Sequence, residues 1–331
     1  MLLKIFKGTR PRVISLIIIT TGTVWLSAFL NPQIPASFQY ETSPMPLYSL
    51  VKSIIGGSAL AGVIFSLLMS SLLIYLLVNF NTTLFFINER TFLPAAIFLL
   101  ITGLFPQNQL LNPVLPGAIF LMLAIIRIMG AYRKPATAFN FFDAALLISI
   151  GSFFYCNLIW FAILLFIGIA LLRTVNFNEI ALSFLGIATP YVLTIGLYYV
   201  IGKDIGAFFN DVKINLFGEL QTYYFQRLTI VVLIFCGLMI LISMTYLITR
   251  ISIQKIKSRK TFYLLLWTFF ISLALYIILP SVSVEMVWIT GIPASYILAH
   301  YFVFVRKKLL PEIIFTVFFI LILLVQLLYI L

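Results

Sequence analysis

The stretch 98–128, FLLITGLFPQNQLLNPVLPGAIFLMLAIIRI, decides the fold class. It contains two apolar runs on either side of a short turn that is rich in proline, glutamine and asparagine, which is the pattern of two helices and a break. The segments 91–105 and 114–129 would each span only about 22–24 Å at about 1.5 Å per residue. The sequence therefore predicts a short helical hairpin inside a larger apolar structure.

A second hairpin is predicted directly after the first. Read as one helix, 141–172 would be about 48 Å long, whereas the hydrocarbon core of a bilayer is about 30 Å thick. A break at Cys156-Asn157 divides it into two segments, 141–155 and 157–172, that match the first pair in length. The two hairpins would place their turns on the same side.

The composition identifies the solvent in which this chain folds. Hydrophobic residues make up 63% of the 331 residues and charged residues only 9%. Soluble domains are about 45–50% apolar and about 25% charged, so this chain is predicted to fold in lipid. No stretch is polar enough for a separate soluble domain. We therefore predict an all-α membrane protein with a single polytopic membrane domain over residues 1–331.

Eleven apolar segments are long enough to be helices, which predicts about 11 transmembrane helices. These segments are 13–30, 54–80, 91–105, 114–129, 141–155, 157–172, 179–201, 228–249, 261–279, 286–305 and 311–330.

The basic residues orient these segments. With the break at Cys156-Asn157, seventeen lysines and arginines fall on the side of the N-terminus and four on the other side. Without the break the division is eleven to ten. Cytoplasmic loops carry the excess of Lys and Arg, so the rule favours the break. It predicts a membrane protein whose N-terminus is cytoplasmic and whose C-terminus lies on the opposite side of the membrane. The net charge of +12 is thus an orientation signal, and nucleic acid is not expected as a partner.

The longest outer connection, 203–227, carries an apolar residue at every fourth position. This spacing indicates an amphipathic helix that lies on the outer membrane surface or caps the bundle. An irregular loop with scattered aromatic residues is the alternative. The stripe consists of Phe208, Val212, Leu216, Leu220 and Tyr224.

The short hairpins suggest where a site could be. If their charged inner ends lie at the interface, their outer turns are recessed, and backbone at that depth is buried in protein or lines a water-filled cavity. The hypothesis is an outward-opening groove, and local thinning of the bilayer is the alternative. The candidate ligand-binding residues in this groove are Gln107, Asn108, Gln109, Tyr155 and Asn157.

Few residues suggest chemistry. Glu41 is the sole acid of the first outer loop and could serve as a general base, although a solvated loop residue is the plainer interpretation. Arg127 and Asp143 flank one inner connection and are predicted to form a structural ion pair. Two unspaced cysteines and one histidine predict neither a metal site nor a disulfide. No cofactor is expected.

Two resemblances add to this interpretation. The N-terminal KIFKGTRPR, the stretch 98–128, FFDAALLISIGSFFY at 141–155 and LLRTVNFNEIALSFLGIATPYVL at 171–193 resemble an uncharacterised family of polytopic membrane proteins from Bacteroidetes. The two hairpins over 90–200 also resemble the core of the C-class glycosyltransferases. That resemblance implies transfer of sugar from a polyprenyl phosphate with Glu41 as the acid of the first outer loop, while the turn PQNQLLNP lacks the second acid of that pattern.

Three functions follow as expectations. The first is a non-enzymatic envelope protein that binds membrane lipid or a lipid-linked partner, or that holds other envelope membrane proteins. The second is a divergent glycosyltransferase that acts on a polyprenyl-linked glycan. The third is a flippase or facilitator for a lipid-linked substrate.

Overall fold

A computed structural model describes residues 2–8, 11–33, 43–132, 138–172, 176–218, 226–306 and 309–330. The chain is all-helical, with 85% helix, and the described residues contain no strand. Fourteen α-helices occupy this part of the chain, in the order α1 (Leu2–Phe6), α2 (Pro11–Leu30), α3 (Pro46–Ile55), α4 (Ala59–Leu84), α5 (Leu93–Thr102), α6 (Val114–Gly130), α7 (Ala138–Ser152), α8 (Ile163–Leu172), α9 (Phe177–Ile201), α10 (Ile205–Phe217), α11 (Arg227–Arg250), α12 (Ile256–Ile278), α13 (Val287–Phe304) and α14 (Leu309–Ile330).

Seven of these helices are long and apolar enough to cross a membrane, namely α2, α4, α9, α11, α12, α13 and α14. The other four predicted crossings are the members of the two hairpins, whose helices α5–α8 are shorter. The chain is therefore a helical protein with seven candidate membrane spans, and the predicted number of about 11 is not confirmed.

The predicted hairpin turns are present as short 3-10 helices. Pro106–Gln109 separates α5 from α6, and Cys156–Ala162 separates α7 from α8. Proline lacks the N–H that would continue the helix. At the second turn, the helical hydrogen-bond pattern ends at Ser152, before Cys156-Asn157.

The short helix α5 and the longer helix α13 lie at the centre of the bundle. Every residue of α5 is buried, and 78% of the apolar window of α13 is buried inside the protein. For the other long helices this share lies between 17% and 39%. The helices α5 and α13 pack closely because Gly291 has no side chain: a Cβ there would lie 3.2 Å from Cε2 of Phe98. The core therefore consists of the hairpin helices and α13. Longer helices with exposed apolar faces surround it.

One predicted segment needs correction. The run 54–80 was expected to form one helix, but α3 ends at Ile55 and α4 begins at Ala59. Gly56 and Gly57 separate them with φ angles of 65° and 77°. Positive φ angles suit glycine and end a helix, so Gly56 and Gly57 form a turn between α3 and α4.

The predicted helix in the connection 203–227 is present over Ile205–Phe217 as α10. The side chain of Asp204 caps its N-terminus by accepting a hydrogen bond from the Gly206 N–H at 2.7 Å. Phe208 is buried against Phe153 and Tyr198. The apolar stripe of α10 therefore packs on protein, and residues 219–225, with Leu220 and Tyr224, lie outside the described residues.

Candidate functional site

Both hairpin turns lie at one end of the bundle, named here the turn end, and both contact the segment that begins α13. In the first turn, Asn108 donates from Nδ2 to the carbonyl of Val284 at 3.2 Å. The Trp288 ring N–H donates to the Asn108 carbonyl at 3.3 Å, and Nδ2 of Asn112 donates to the same carbonyl at 2.6 Å. This turn is thus fixed to α13 by polar contacts in an apolar region.

Gln109 ties the same turn to the outer helices. Its Nε2 donates to the Val24 carbonyl of α2 at 3.0 Å. Ser27 lies between Oε1 of Gln109, at 3.5 Å, and Oε1 of Gln326 on α14, at 2.7 Å. Gln326 in turn donates to the carbonyl of Gly103 at 2.6 Å. These bonds satisfy backbone carbonyls that lipid could not satisfy.

The second turn is held in the same way. Asn157 donates from Nδ2 to the carbonyls of Asn215 in α10 and of Ser281, both at 3.3 Å. Ser281 donates to the Leu216 carbonyl at 2.7 Å. Cys156 is buried beneath α10, with Sγ 3.8 Å from the carbonyl of Val212. The turn, α10 and the connection before α13 therefore form one hydrogen-bonded unit.

Tyr155 joins this unit to a buried acid. Its hydroxyl donates to Oε1 of Glu285 at 3.4 Å, and the backbone N–H of Ser283 donates to the same oxygen at 2.9 Å. Glu285 is fully buried, and its Oε2 has no hydrogen-bond partner among the described residues. A buried carboxyl oxygen without a hydrogen-bond partner carries a desolvation cost that packing alone does not offset.

The residues of the predicted groove lie together at one end of the bundle. Asn108, Gln109, Tyr155 and Asn157 are between 0% and 1% exposed, and Gln107 is partly buried. They are buried because the backbone of both turns needs partners, and α3, α10 and the connection before α13 supply them. The five residues form a polar layer, and an outward-opening groove above it stays a prediction.

The other predicted site residues do not belong to this polar layer. Arg127 and Asp143 approach to 3.9 Å between Nη1 and Oδ2, and both side chains are exposed. An exposed ion pair of this kind contributes about 0–1 kcal/mol. Glu41 lies outside the described residues, and its role as a base stays a prediction. Within the described ranges, no three His, Cys, Asp or Glu residues converge as metal ligands.

An apolar crevice of about 300 Å³ lies beside the polar layer, between α11 and α12. Both helices pack on α13 but make few contacts with each other, so α13 and α5 form the floor of the crevice. Its rim includes three half-exposed side chains, Leu233 of α11 and Leu273 and Tyr276 of α12. The crevice is thus open on the faces of the helices that carry exposed apolar residues.

The walls of the crevice are shaped by a small residue. Gly237 of α11 lines it, and a Cβ added there would meet no atom within 4 Å. The polar groups lie at one end, where Ser283 lines the crevice and Glu285 is buried two residues away. The arrangement offers an apolar slot with a polar terminus, which suits an amphiphile and provides no evident nucleophile and base pair.

Sequence reasoning did not find this crevice. In the sequence, Glu285 is one of several acidic residues in predicted outer segments, and Gly237 is one glycine in an apolar run. The available signal was a small residue and a cysteine, Gly237 beside Cys236, within an otherwise bulky helix. That signal does not indicate which helix lies opposite, so it could not define a cavity.

Comparison with known proteins gives a family without a function. A family model described as "Family of unknown function (DUF6427)" matches residues 56–330. The match covers most of the chain, which therefore belongs to this family. No curated protein and no solved structure matches the chain.

Proposed function

We propose that this member of a family of unknown function is a multi-pass protein of the bacterial inner membrane that binds a lipid or a lipid-linked molecule. The apolar chain of the ligand occupies the crevice between α11 and α12, and its polar group lies near Ser283 at the turn end. In this proposal the turn end faces the periplasm, in agreement with the distribution of lysine and arginine. The protein then acts by holding the bound molecule, alone or together with other envelope proteins.

The observation that supports the proposal is an opening beside α13, between the exposed apolar faces of α11 and α12. This helix is the most buried of the seven candidate spans, yet Val287, Thr290 and Gly291 on it line the crevice. A volume of about 300 Å³ is at the lower end of the range of about 300–1,000 Å³ for ligand sites. Only a narrow molecule, such as one acyl or isoprenoid chain, fits such a slot.

The position of the crevice favours hydrocarbon as its occupant. The exposed side chains around it, Leu238 on α11 and Phe270 and Ile277 on α12, are apolar, as lipid-facing residues are. Water in a slot of this lining would have few polar partners, and an empty slot would lose dispersion contacts on one side. A chain that enters from the bilayer restores these contacts.

Photo-crosslinking in nanodiscs tests the proposal. The probe is a phospholipid that carries a diazirine near the middle of one acyl chain, and peptide mass spectrometry locates the labelled residues. We expect labelling of Val287–Gly291 on α13 in the native chain. Gly237→Leu places a side chain in the open space of the crevice and should abolish that labelling.

Gly196→Leu is the matched control. Gly196 also lies within a candidate span, in α9, and a Cβ there would meet no atom within 4 Å. This variant should label α13 like the native chain. Absence of α13 labelling in the native chain, or equal labelling in both variants, would contradict the proposal. Extraction of the lipids that remain after gentle purification then identifies the ligand as phospholipid or polyprenyl-linked.

A further inference from the structure

A second pocket lies at the opposite end of the bundle, where α11 and α13 end and α14 begins. Its volume is about 270 Å³. Arg250, the last residue of α11, and Arg306, just beyond the end of α13, both line it. The pocket is separate from the crevice described above, and the two share no lining residue.

The positive charge of this pocket has no acidic partner in the part of the chain that the structure describes. Among the described residues, no carboxylate lies within 4 Å of either guanidinium. The nearest acid along the chain, Glu312, accepts a hydrogen bond from the Leu3 N–H at 3.1 Å through Oε1 and does not line the pocket. Two arginines beside one cavity without an acidic partner form a site for an anion.

Two tyrosines line the pocket: Tyr246 positions Arg250, and Tyr301 offers a hydrogen-bond donor. The guanidinium of Arg250 lies 5.2 Å from the ring centroid of Tyr246, whose hydroxyl donates to the Phe304 carbonyl at 2.9 Å. Tyr246 therefore positions the guanidinium of Arg250 through a cation–π contact. The Tyr301 hydroxyl, on the same pocket, forms no hydrogen bond with any described residue and is available as a donor.

The remaining wall is apolar. Leu310 and Pro311 at the start of α14 complete the lining, and Leu309, Leu310 and Ile313 are among the exposed hydrophobic side chains of the molecule. Guanidinium groups recognise phosphate in a planar, bidentate manner. A ligand that contacts both the arginines and the apolar wall contains a phosphate and an apolar chain, as an anionic phospholipid does.

We propose that this pocket binds the phosphate of an anionic phospholipid, with Arg250, Arg306 and the Tyr301 hydroxyl as its donors and with the acyl chain along α14. Basic pockets between transmembrane helices on the cytoplasmic side are a known form of lipid recognition. The inference does not depend on the ligand of the crevice.

Native mass spectrometry of the full chain in a neutral detergent tests this site. The probes are phosphatidylglycerol and phosphatidylcholine with identical acyl chains, together with inorganic phosphate as a competitor. We expect preferential retention of phosphatidylglycerol by the native chain. Arg250→Gln and Arg306→Gln should each weaken that binding about fivefold, the effect of one basic residue near an anionic headgroup.

The controls distinguish phosphate recognition from charge alone. Arg90→Gln removes an exposed arginine that does not line the pocket and should leave binding unchanged. Arg306→Lys keeps the charge without the bidentate geometry and should lie between the native chain and Arg306→Gln. Unchanged melting temperatures would show that the variants fold.

Two results would overturn the inference. In one, Arg250→Gln and Arg306→Gln retain phosphatidylglycerol as the native chain does, which would leave these arginines as orientation signals only. In the other, millimolar inorganic phosphate displaces phosphatidylglycerol, which would assign the pocket to a soluble phosphate. Retention of both lipids to the same degree would count against the inference in the same way.

Discussion

Asn157 illustrates how a single side chain can stabilise a buried turn. Its Nδ2 serves two carbonyls that are 58 and 124 residues away in the chain. Hydrocarbon offers no substitute partner for either carbonyl. The polar atoms of this layer are therefore structural requirements of the short hairpins, in the same way that Gln109 is for the first turn.

Asn157→Leu tests this role at the residue scale. The change keeps the number and branching of the side-chain heavy atoms but leaves the carbonyls of Asn215 and Ser281 without this donor, so it should lower the free energy of unfolding by about 2 kcal/mol or more. Titration with sodium dodecyl sulfate in bicelles, followed by far-ultraviolet circular dichroism, measures the effect. The exposed Asn79→Leu serves as control and should change stability by about 0.5 kcal/mol or less. Equal effects of the two substitutions would show that the buried amide has no special role.

At the scale of elements, α10 acts as a cover for the second turn. Phe208 is buried with its ring centroid 5.4 Å from that of Tyr198 and 6.4 Å from that of Phe153, while the adjacent Phe209 is exposed. The thiol of Cys156 is buried directly beneath this helix. Phe208 is the one buried aromatic side chain of α10, so its removal should weaken the contact between this helix and the turn.

Phe208→Ala should therefore expose Cys156. Loss of a buried phenylalanine costs about 3–5 kcal/mol, which weakens the contact between α10 and the turn more than the membrane-embedded part of the fold. We expect faster maleimide modification of Cys156, measured by peptide mass spectrometry, with no change at Cys236 within α11. Phe209→Ala is the matched control and should leave both rates unchanged. A rate for Cys156 that stays at the native value in Phe208→Ala would contradict the assignment of α10 as a cover.

The same elements show what sequence can predict here. Pro106 and Asn157 interrupt apolar runs, and the four-residue spacing from Phe208 indicates a helix, so hairpins, turns and α10 were all predictable. The partners of these residues were not predictable, because Asn157 with Ser281 and Asn108 with Val284 are joined by long-range packing that leaves no periodic signal. For this reason the sequence did not indicate the crevice that Gly237 lines.

At the scale of the whole molecule, the number of crossings and the orientation of the termini are separable questions. Each hairpin, α5 with α6 and α7 with α8, returns the chain to the side from which it started, whether its helices cross the bilayer fully or only in part. The seven long helices alone then decide the relation of the termini. If all seven cross the bilayer, their odd number would place the N-terminus and the C-terminus on opposite sides, which is also the result that eleven crossings would give.

The side of the membrane that each loop faces therefore tests the predicted topology of the whole molecule. Asn210→Cys lies in α10 at the turn end, and Lys255→Cys lies between α11 and α12 at the opposite end, and both positions are exposed. The native thiols of Cys156 and Cys236 are buried, so they contribute little background. Because the segment around Lys255 carries five of the basic residues, the positive-inside rule places it in the cytoplasm. We expect a membrane-impermeant maleimide added to intact spheroplasts to label position 210 and to label position 255 only after lysis. The reverse pattern would invert the bundle, place the arginine pocket in the outer leaflet and move the polar end of the crevice to the cytoplasm, and both ligand assignments would then have to be reconsidered.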